Sequence, residues 1–327
     1  MKVVTFGDLL LRLNPPLYER FLQTDVFRAC YTGAEANVAA ALAQWGAESV
    51  FVSKVPAHEL GQCAVNGIRK YGVDTRYIAR GGERLGLFYL EKGASQRGSK
   101  IIYDRKNSAF AQASPEDFPW SEILRGAQWF HFSGITPALG GRLAEICKQA
   151  CIAAKESGAS ISCDLNYRAT LWSKEEARAV LSTLLHYTDV CFSNAPQVGD
   201  VLGIAEKTER QTAETLMETY GCKEVFFTAR KSLSASDNVV SAALYQSGGA
   251  WRSREYAVHI VDRVGAGDAF AAAAVYAVLS GFSPQRCIDF ACAAFCLKHT
   301  VEGDIFLAGR QEIEALAKGD ASGNIVR

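Results

Sequence analysis

The chain has no unbroken apolar run of about 20 residues, the length a membrane-crossing helix needs. Its opening stretch, MKVVTFGDLLLRLNPP, carries Asp8 and Arg12 where a secretory leader would be apolar. Ten cysteines are present, but none forms a C-x-x-C pair, and the close pairs Cys147/Cys151 and Cys292/Cys296 stand four apart, as on a helix. Buried free thiols in a reducing compartment explain them better than disulfides or zinc. The five histidines (His58, His131, His186, His259 and His299) lack metal-ligand spacing, so no metal held by side chains alone is expected. Charge of one sign is also lacking: 35 Lys plus Arg balance 35 Asp plus Glu. No global field therefore recruits nucleic acid or an anionic membrane. Internal repeats, low-complexity tracts and disordered linkers are missing as well. The expectation is a soluble cytoplasmic protein.

What is there is a core. At 327 residues and 49% apolar composition the chain can bury one large α/β domain. Apolar runs of strand length, such as VVTFG, SVFVSKV, AQWFHFSG, ASISCDLN, DVCFSN and EVFFTA, alternate with segments of helical period. EANVAAALAQWG and ELGQCAVNGIRKYG each end on a helix-stopping glycine. SKEEARAVLSTLLHY opens on a serine with acids in its first turn. Repeated βα units imply a mainly parallel sheet with helices on both faces. Two stretches, LLLRLNPPLYERFLQTDVFRACY and RLGLFYLEKGASQRGSKIIYDR, alternate in polarity around turn residues. They fit a small antiparallel sheet standing off the main body over the strand ends, where ligands bind in such folds. Such a flap also suits an oligomer interface.

Two stretches carry the chemistry. In VDRVGAGDAFAAAAVYAVLSG, from Val261 to Gly281, Gly265 and Gly267 let backbone amides converge at a helix N-terminus. Such a nest binds anions, and Asp268 in its midst would repel one unless it takes a proton from an attacking group. The plainer account is an acid placed at a helix dipole. A dinucleotide fingerprint fails, because its third glycine would fall at Phe270. In YTGAEANVAAALAQWG, Gly33 and Ala34 permit a tight entry into a helix, and Asn37 can recognise hydroxyls. Here the plainer account is capping by Thr32 and Glu35.

Together the two stretches resemble the ribokinase-like (PfkB) carbohydrate kinases, in which a small-residue turn precedes a helical asparagine and G-A-G-D-x-F lies near the C-terminus. The resemblance runs over nearly the whole chain. It implies a three-layer α/β/α sandwich over residues 1–327, with lid segments inserted at about 9–32 and 84–108. It implies Asp268 as catalytic base, with the amides of Gly265, Ala266 and Gly267 as anion hole. GAEAN, IIYDRKNSAFA and DLNYRATLW look like the segments with which 2-keto-3-deoxygluconate kinases hold a sugar acid. The implied substrate residues are Asp8, Gly33, Ala34, Asn37, Tyr89, Tyr103, Arg105 and Arg168. Independently of any family, guanidinium forks at Arg105 and Arg168 suit a carboxylate, which a neutral sugar lacks, unless both arginines make surface ion pairs. The resemblance further implies ATP as phosphoryl donor with magnesium, near Asn194, Thr228, Arg230, Gly265 and Gly267, and a homo-oligomer formed through the lid.

This sequence departs from the family at two points. The family's N-x-x-E reads NAPQ here, with Gln197 in the place of the glutamate. A G-x-x-G turn is replaced by TARKSLSASDN, from Thr228 to Asn238. The leading expectation is a sugar-acid kinase. The alternatives are a neutral-sugar kinase such as a fructokinase, and a non-catalytic sugar-binding protein that keeps the fold.

Overall fold

The computed structural model of the protein describes residues 1–320 and Gly323. Its strands, in chain order, are β1 (Lys2–Phe6), β2 (Leu10–Asn14), β3 (Arg28–Thr32), β4 (Glu48–Val55), β5 (Ile78–Arg80), β6 (Gly86–Glu91), β7 (Lys100–Asp104), β8 (Trp129–Ser133), β9 (Ser160–Asp164), β10 (Val190–Ser193), β11 (Glu224–Ser232), β12 (Asp237–Gln246), β13 (Gly249–Arg252) and β14 (Tyr256–His259). The helices are α1 (Ala34–Gln44), α2 (Glu59–Arg69), α3 (Trp120–Ile123), α4 (Ile135–Ala138), α5 (Gly141–Glu156), α6 (Lys174–Leu185), α7 (Ala195–Leu202), α8 (Glu209–Tyr220), α9 (Ala266–Leu279), α10 (Pro284–Lys298) and α11 (Arg310–Lys318).

The main sheet runs β13-β12-β11-β10-β9-β8-β1-β4-β5, with β14 also paired to β12. From β5 to β11 every neighbour is parallel; the β12, β13 and β14 pairings at the far edge are antiparallel. Successive side chains on a strand face opposite ways, so an unbroken apolar strand feeds two cores. Val4, Phe130, Cys191 and Phe227 pack against α5, α6, α7 and α8 on one face. Val3, Trp129, Val190 and Phe226 pack against α1, α9, α10 and α11 on the other. The result is the three-layer α/β/α sandwich. Alanine dominates α9, whose residues from Ala269 to Ala277 are all buried, and small side chains let α1 and α10 approach it closely. All ten cysteines are free, eight of them buried. Among the described residues no helix is long and apolar enough to cross a membrane.

A second sheet, β3-β2-β6-β7, forms the lid. It is not wholly antiparallel, as the hairpin patterns suggest: β2 and β6 pair in parallel, while β2–β3 and β6–β7 are antiparallel. Each hairpin is local, and the parallel seam forms where the two meet, which neither stretch reveals by itself. The serine-rich stretch from Thr228 to Asn238 stands where the family has its G-x-x-G turn. It is the tip of a hairpin, with β11 running through Ser232 and β12 starting at Asp237. The tip meets the lid, where Ala235 N–H donates to the carbonyl of Ser95 at 2.7 Å.

Candidate active site

Parallel strands end on one edge of the main sheet, and there two depressions merge. The lid-side cleft, about 380 Å³, is walled by Gly33, Ala34, Asn37, Tyr103, Arg105 and Arg168, with Asp268 on its floor. The strand-side cleft, about 640 Å³, is walled by Ser193, Asn194, Gln197 and Thr228. Asp164, Asn166, Arg230, Arg263, Ala266 and Gly267 line both.

Gly265 caps α9 with a left-handed φ of 82°, and a Cβ there would come within 2.1 Å of the Asp304 carbonyl. Only glycine fits. The turn leaves the first-turn amides of α9 facing the shared cleft, without a side-chain cap. Gly33 is required for a different reason: its backbone is extended, but a Cβ would lie 2.0 Å from the Asp8 carbonyl. Thr32 and Glu35 do not cap α1. Thr32 Oγ1 lies 2.9 Å from Asn37 Oδ1 and 2.7 Å from Asp304 Oδ2. Glu35 reaches under the sheet edge, where its carboxylate accepts from Ser133 N–H, Ser133 Oγ and Thr136 Oγ1 at 2.9, 2.6 and 3.0 Å.

Asp268 Oδ2 lies 2.6 Å from Asn37 Nδ2. Burial, with the carboxylates of Asp164, Glu35 and Asp304, raises its pKa to about 8 against the opposing Asn37 contact. A carboxyl tuned near neutrality suits proton transfer. Asp8 follows β1, and both of its carboxyl oxygens are buried without a hydrogen-bond partner. Burial pushes it to about 6, the Arg105 guanidinium opposing. Asp8 is not among the residues that wall either cleft, but Arg105, whose charge it feels, is.

Arg105 lies over the Tyr103 ring, 4.2 Å from its centroid, and its Nε has no partner. Neither Arg105 nor Arg168 forms an ion pair among the described residues, so the surface-pair account does not hold. Tyr89 is a correction. Register places Phe88 opposite Tyr103 on the cleft face, so period two turns Tyr89 outward beside Ile102. Its ring packs against Phe27, with centroids 6.0 Å apart.

On the strand side, Asn194 caps α7 by accepting from Gln197 N–H at 2.9 Å. The Gln197 amide oxygen accepts from Ser193 Oγ at 3.1 Å. Sequence reasoning missed Arg263, whose Nη2 donates to the Ala235 carbonyl at 3.0 Å. It and Arg230 have no acid partner among the described residues, and burial with Arg263's charge lowers the Arg230 pKa. Like charges left unpaired beside an amide nest fit a polyphosphate. The neutral groups at Asn194 and Gln197 fit a magnesium ion carried by phosphates and water rather than one caged by protein. Asp164 and Asn166 were also missed, although polar residues ending the ASISCDLN strand were a visible signal. Asp304 left none.

Residues 1–308 match the family described as pfkB family carbohydrate kinase. The chain is 31% identical over 328 residues to the 2-dehydro-3-deoxygalactonokinase of Haloferax volcanii, covering 98% of each. It is 29% identical to the 2-dehydro-3-deoxygluconokinase of Thermoproteus tenax, over 97% of this chain and 94% of that one. A crystal structure of 2-dehydro-3-deoxygluconokinase from Thermotoga maritima superposes with a TM-score of 0.96 at 50% identity, covering 98% of both chains. With the lid, the glycine turn and nearly the full length all matched, the chain belongs to the pfkB family of carbohydrate kinases.

Proposed function

We propose that the protein is an ATP-dependent kinase that phosphorylates a hydroxyl of 2-keto-3-deoxygluconate, giving its 6-phosphate. The observation that carries the sugar-acid reading is the pair of guanidinium groups, Arg105 and Arg168, that share one cleft with Asp268 and lack ion-pair partners among the described residues. The relatives named above act, by their names, on 2-keto-3-deoxy sugar acids (2-dehydro and 2-keto denote the same group). The carboxylate of the sugar acid meets Arg105 and Arg168, Asp8 and Asn37 take its hydroxyls, and Tyr103 covers it. Asp268 receives the proton of the reacting hydroxyl. Bound ATP supplies the phosphoryl group. The amides after Gly265, with Arg230 and Arg263, hold that group's charge. Asp268→Asn should leave sugar binding intact and cut turnover about 100-fold or more, as loss of a general base does. Near-normal turnover would remove Asp268 from the role.

Specificity is tested at Arg105. Arg105→Ala should lower kcat/KM for the sugar acid by about 10–150-fold, from a charge-assisted bond of roughly 1.5–3 kcal/mol. Activity on a matched neutral ketose should fall far less, and Arg105→Lys should rescue only in part. Equal losses on both substrates would give Arg105 a structural role, and a wild-type preference for the ketose would replace the sugar-acid reading with a fructokinase one.

Magnesium enters with the nucleotide phosphates, because Gln197 brings no charge. Gln197→Glu should lower the magnesium concentration that gives half-maximal rate; an unchanged requirement would place residue 197 outside the metal's reach. The lid also supplies an interface between two copies of the chain. The face opposite Phe88 and Tyr103 carries Leu13, Leu87, Tyr89 and Ile102, and Ile102 is 55% exposed. Ile102→Glu should shift the sedimentation coefficient from dimer to monomer, and a wild type that sediments as a monomer would refute the interface.

A further inference from the structure

A run of hydrogen bonds reaches from the lid to the floor of the cleft. Arg12 on β2 pairs with Asp304, whose Oδ2 lies 2.7 Å from Thr32 Oγ1. Thr32 Oγ1 lies 2.9 Å from the Asn37 amide, and the far end of that amide lies 2.6 Å from Asp268. Arg12, Thr32, Asn37 and Asp304 are all buried, the last three along the wall of the lid-side cleft.

Counting protons along this run leads to a definite arrangement. The Thr32 hydroxyl has one hydrogen, yet as drawn it faces two acceptors, the Asp304 carboxylate and the Asn37 carbonyl oxygen. The carboxylate is the stronger claimant. Burial raises its pKa, but the paired Arg12 guanidinium opposes that and favours the charged form, and the carboxylate is the nearer of the two. Thr32 then has only lone pairs left for Asn37, so the amide turns its NH₂ toward Thr32. The two ends of an amide differ so little in shape that this turn costs no space. The Asn37 carbonyl oxygen then faces Asp268 at hydrogen-bond distance, a contact that holds only if Asp268 carries a proton.

We propose that Thr32 and Asp304 are positioning residues that set the orientation of the Asn37 amide and thereby hold Asp268 protonated in the ligand-free enzyme. The proposal rests on the reading of Asp268 as the base, and makes that base a masked one. It is released when the amide turns back to donate to the carboxylate. The other groups facing Asp268 act in concert or in opposition. Glu35 on α1, Asp164 at the end of β9 and Asp304 favour its neutral form. The guanidinium groups of Arg105, Arg168, Arg230 and Arg263, which line the same cleft, favour ionisation. Burial sets the Asp268 midpoint near 8 even with the Asn37 NH₂ donating to it, and turning that donor away raises the midpoint further, so the proton is kept through neutral pH.

The test is a pH titration by infrared difference spectroscopy on the ligand-free protein. In wild type a carboxylic-acid C=O band, missing from Asp268→Asn, should persist at pH 8 and vanish only above it. Thr32→Val keeps the shape but removes the hydroxyl, so the amide is free to donate to Asp268. Its midpoint should fall by about one pH unit, the shift expected when an ionised acceptor gains a donor. Thr32→Ser should keep the wild-type midpoint. The acid limb of kcat/KM should follow the same order, which a merely structural role for Thr32 would not produce. An unchanged or raised midpoint in Thr32→Val overturns the proposal. So does a wild-type Asp268 already ionised at pH 6.5, a result that needs no folded variant at position 32. The spectroscopic titration uses no sugar, so inactivity on every sugar acid would sink the proposed function and leave this arrangement standing.

Discussion

Arg12 carries a full charge into the interior from a strand of the lid, and the geometry of the site depends on how that charge is met. Its guanidinium lies 2.7 Å from Asp262 and pairs with Asp304 on the other side. An unpaired charge at that depth would cost on the order of 3–5 kcal/mol, so the three residues stay together or the region opens. Lys92 approaches Asp262 at 3.7 Å and pairs with Glu302, while the buried Lys298 ammonium donates to the carbonyls of Asp262 and Val301. The lid strand, the turn into α9 and the loop before α11 are thereby fastened at one point. That point lies directly behind the amide nest: the Asp304 carbonyl fills the space a side chain at residue 265 would need.

In front of the nest the balance of charge is reversed. Arg105, Arg168, Arg230 and Arg263 line the merged clefts without ion-pair partners among the described residues, a local gathering of positive charge although the whole chain is neutral. The acids set among them are raised by burial: Asp8 and Asp164 to about 6 and Asp268 to about 8. Arginines and acids that lose their charge near neutrality are what the proposed function asks of one site, an anion held and a proton moved.

Much of the fold was legible because its signals are local. Period-two apolar runs, period-3.6 helices and glycine stops act within a few residues, and the observed strands and helices follow them closely. The glycine at 265 was legible for the same reason, since a left-handed φ and the close Asp304 carbonyl leave no other residue a place, whereas a Cβ at Gly267 would meet nothing. What failed was register. Whether Tyr89 or Phe88 faces the cleft depends on pairing with a strand that begins eleven residues later, and a slip of one reverses the answer. The TARKSLSASDN stretch forms a hairpin although it carries no turn signal as strong as Asn-Gly.

The amino-acid sequence by itself determined the layers, the anion nest and the presence of a carboxylate within it, since each rests on residues adjacent in the chain. Only tertiary structure decided what that carboxylate faces. Asp268 meets Asn37 from 231 positions away, and Thr32 meets Asp304 from 272 positions away. A hydrogen bond requires contact within about 3 Å and a correctly placed proton, and no pattern along the chain encodes either for residues so far apart.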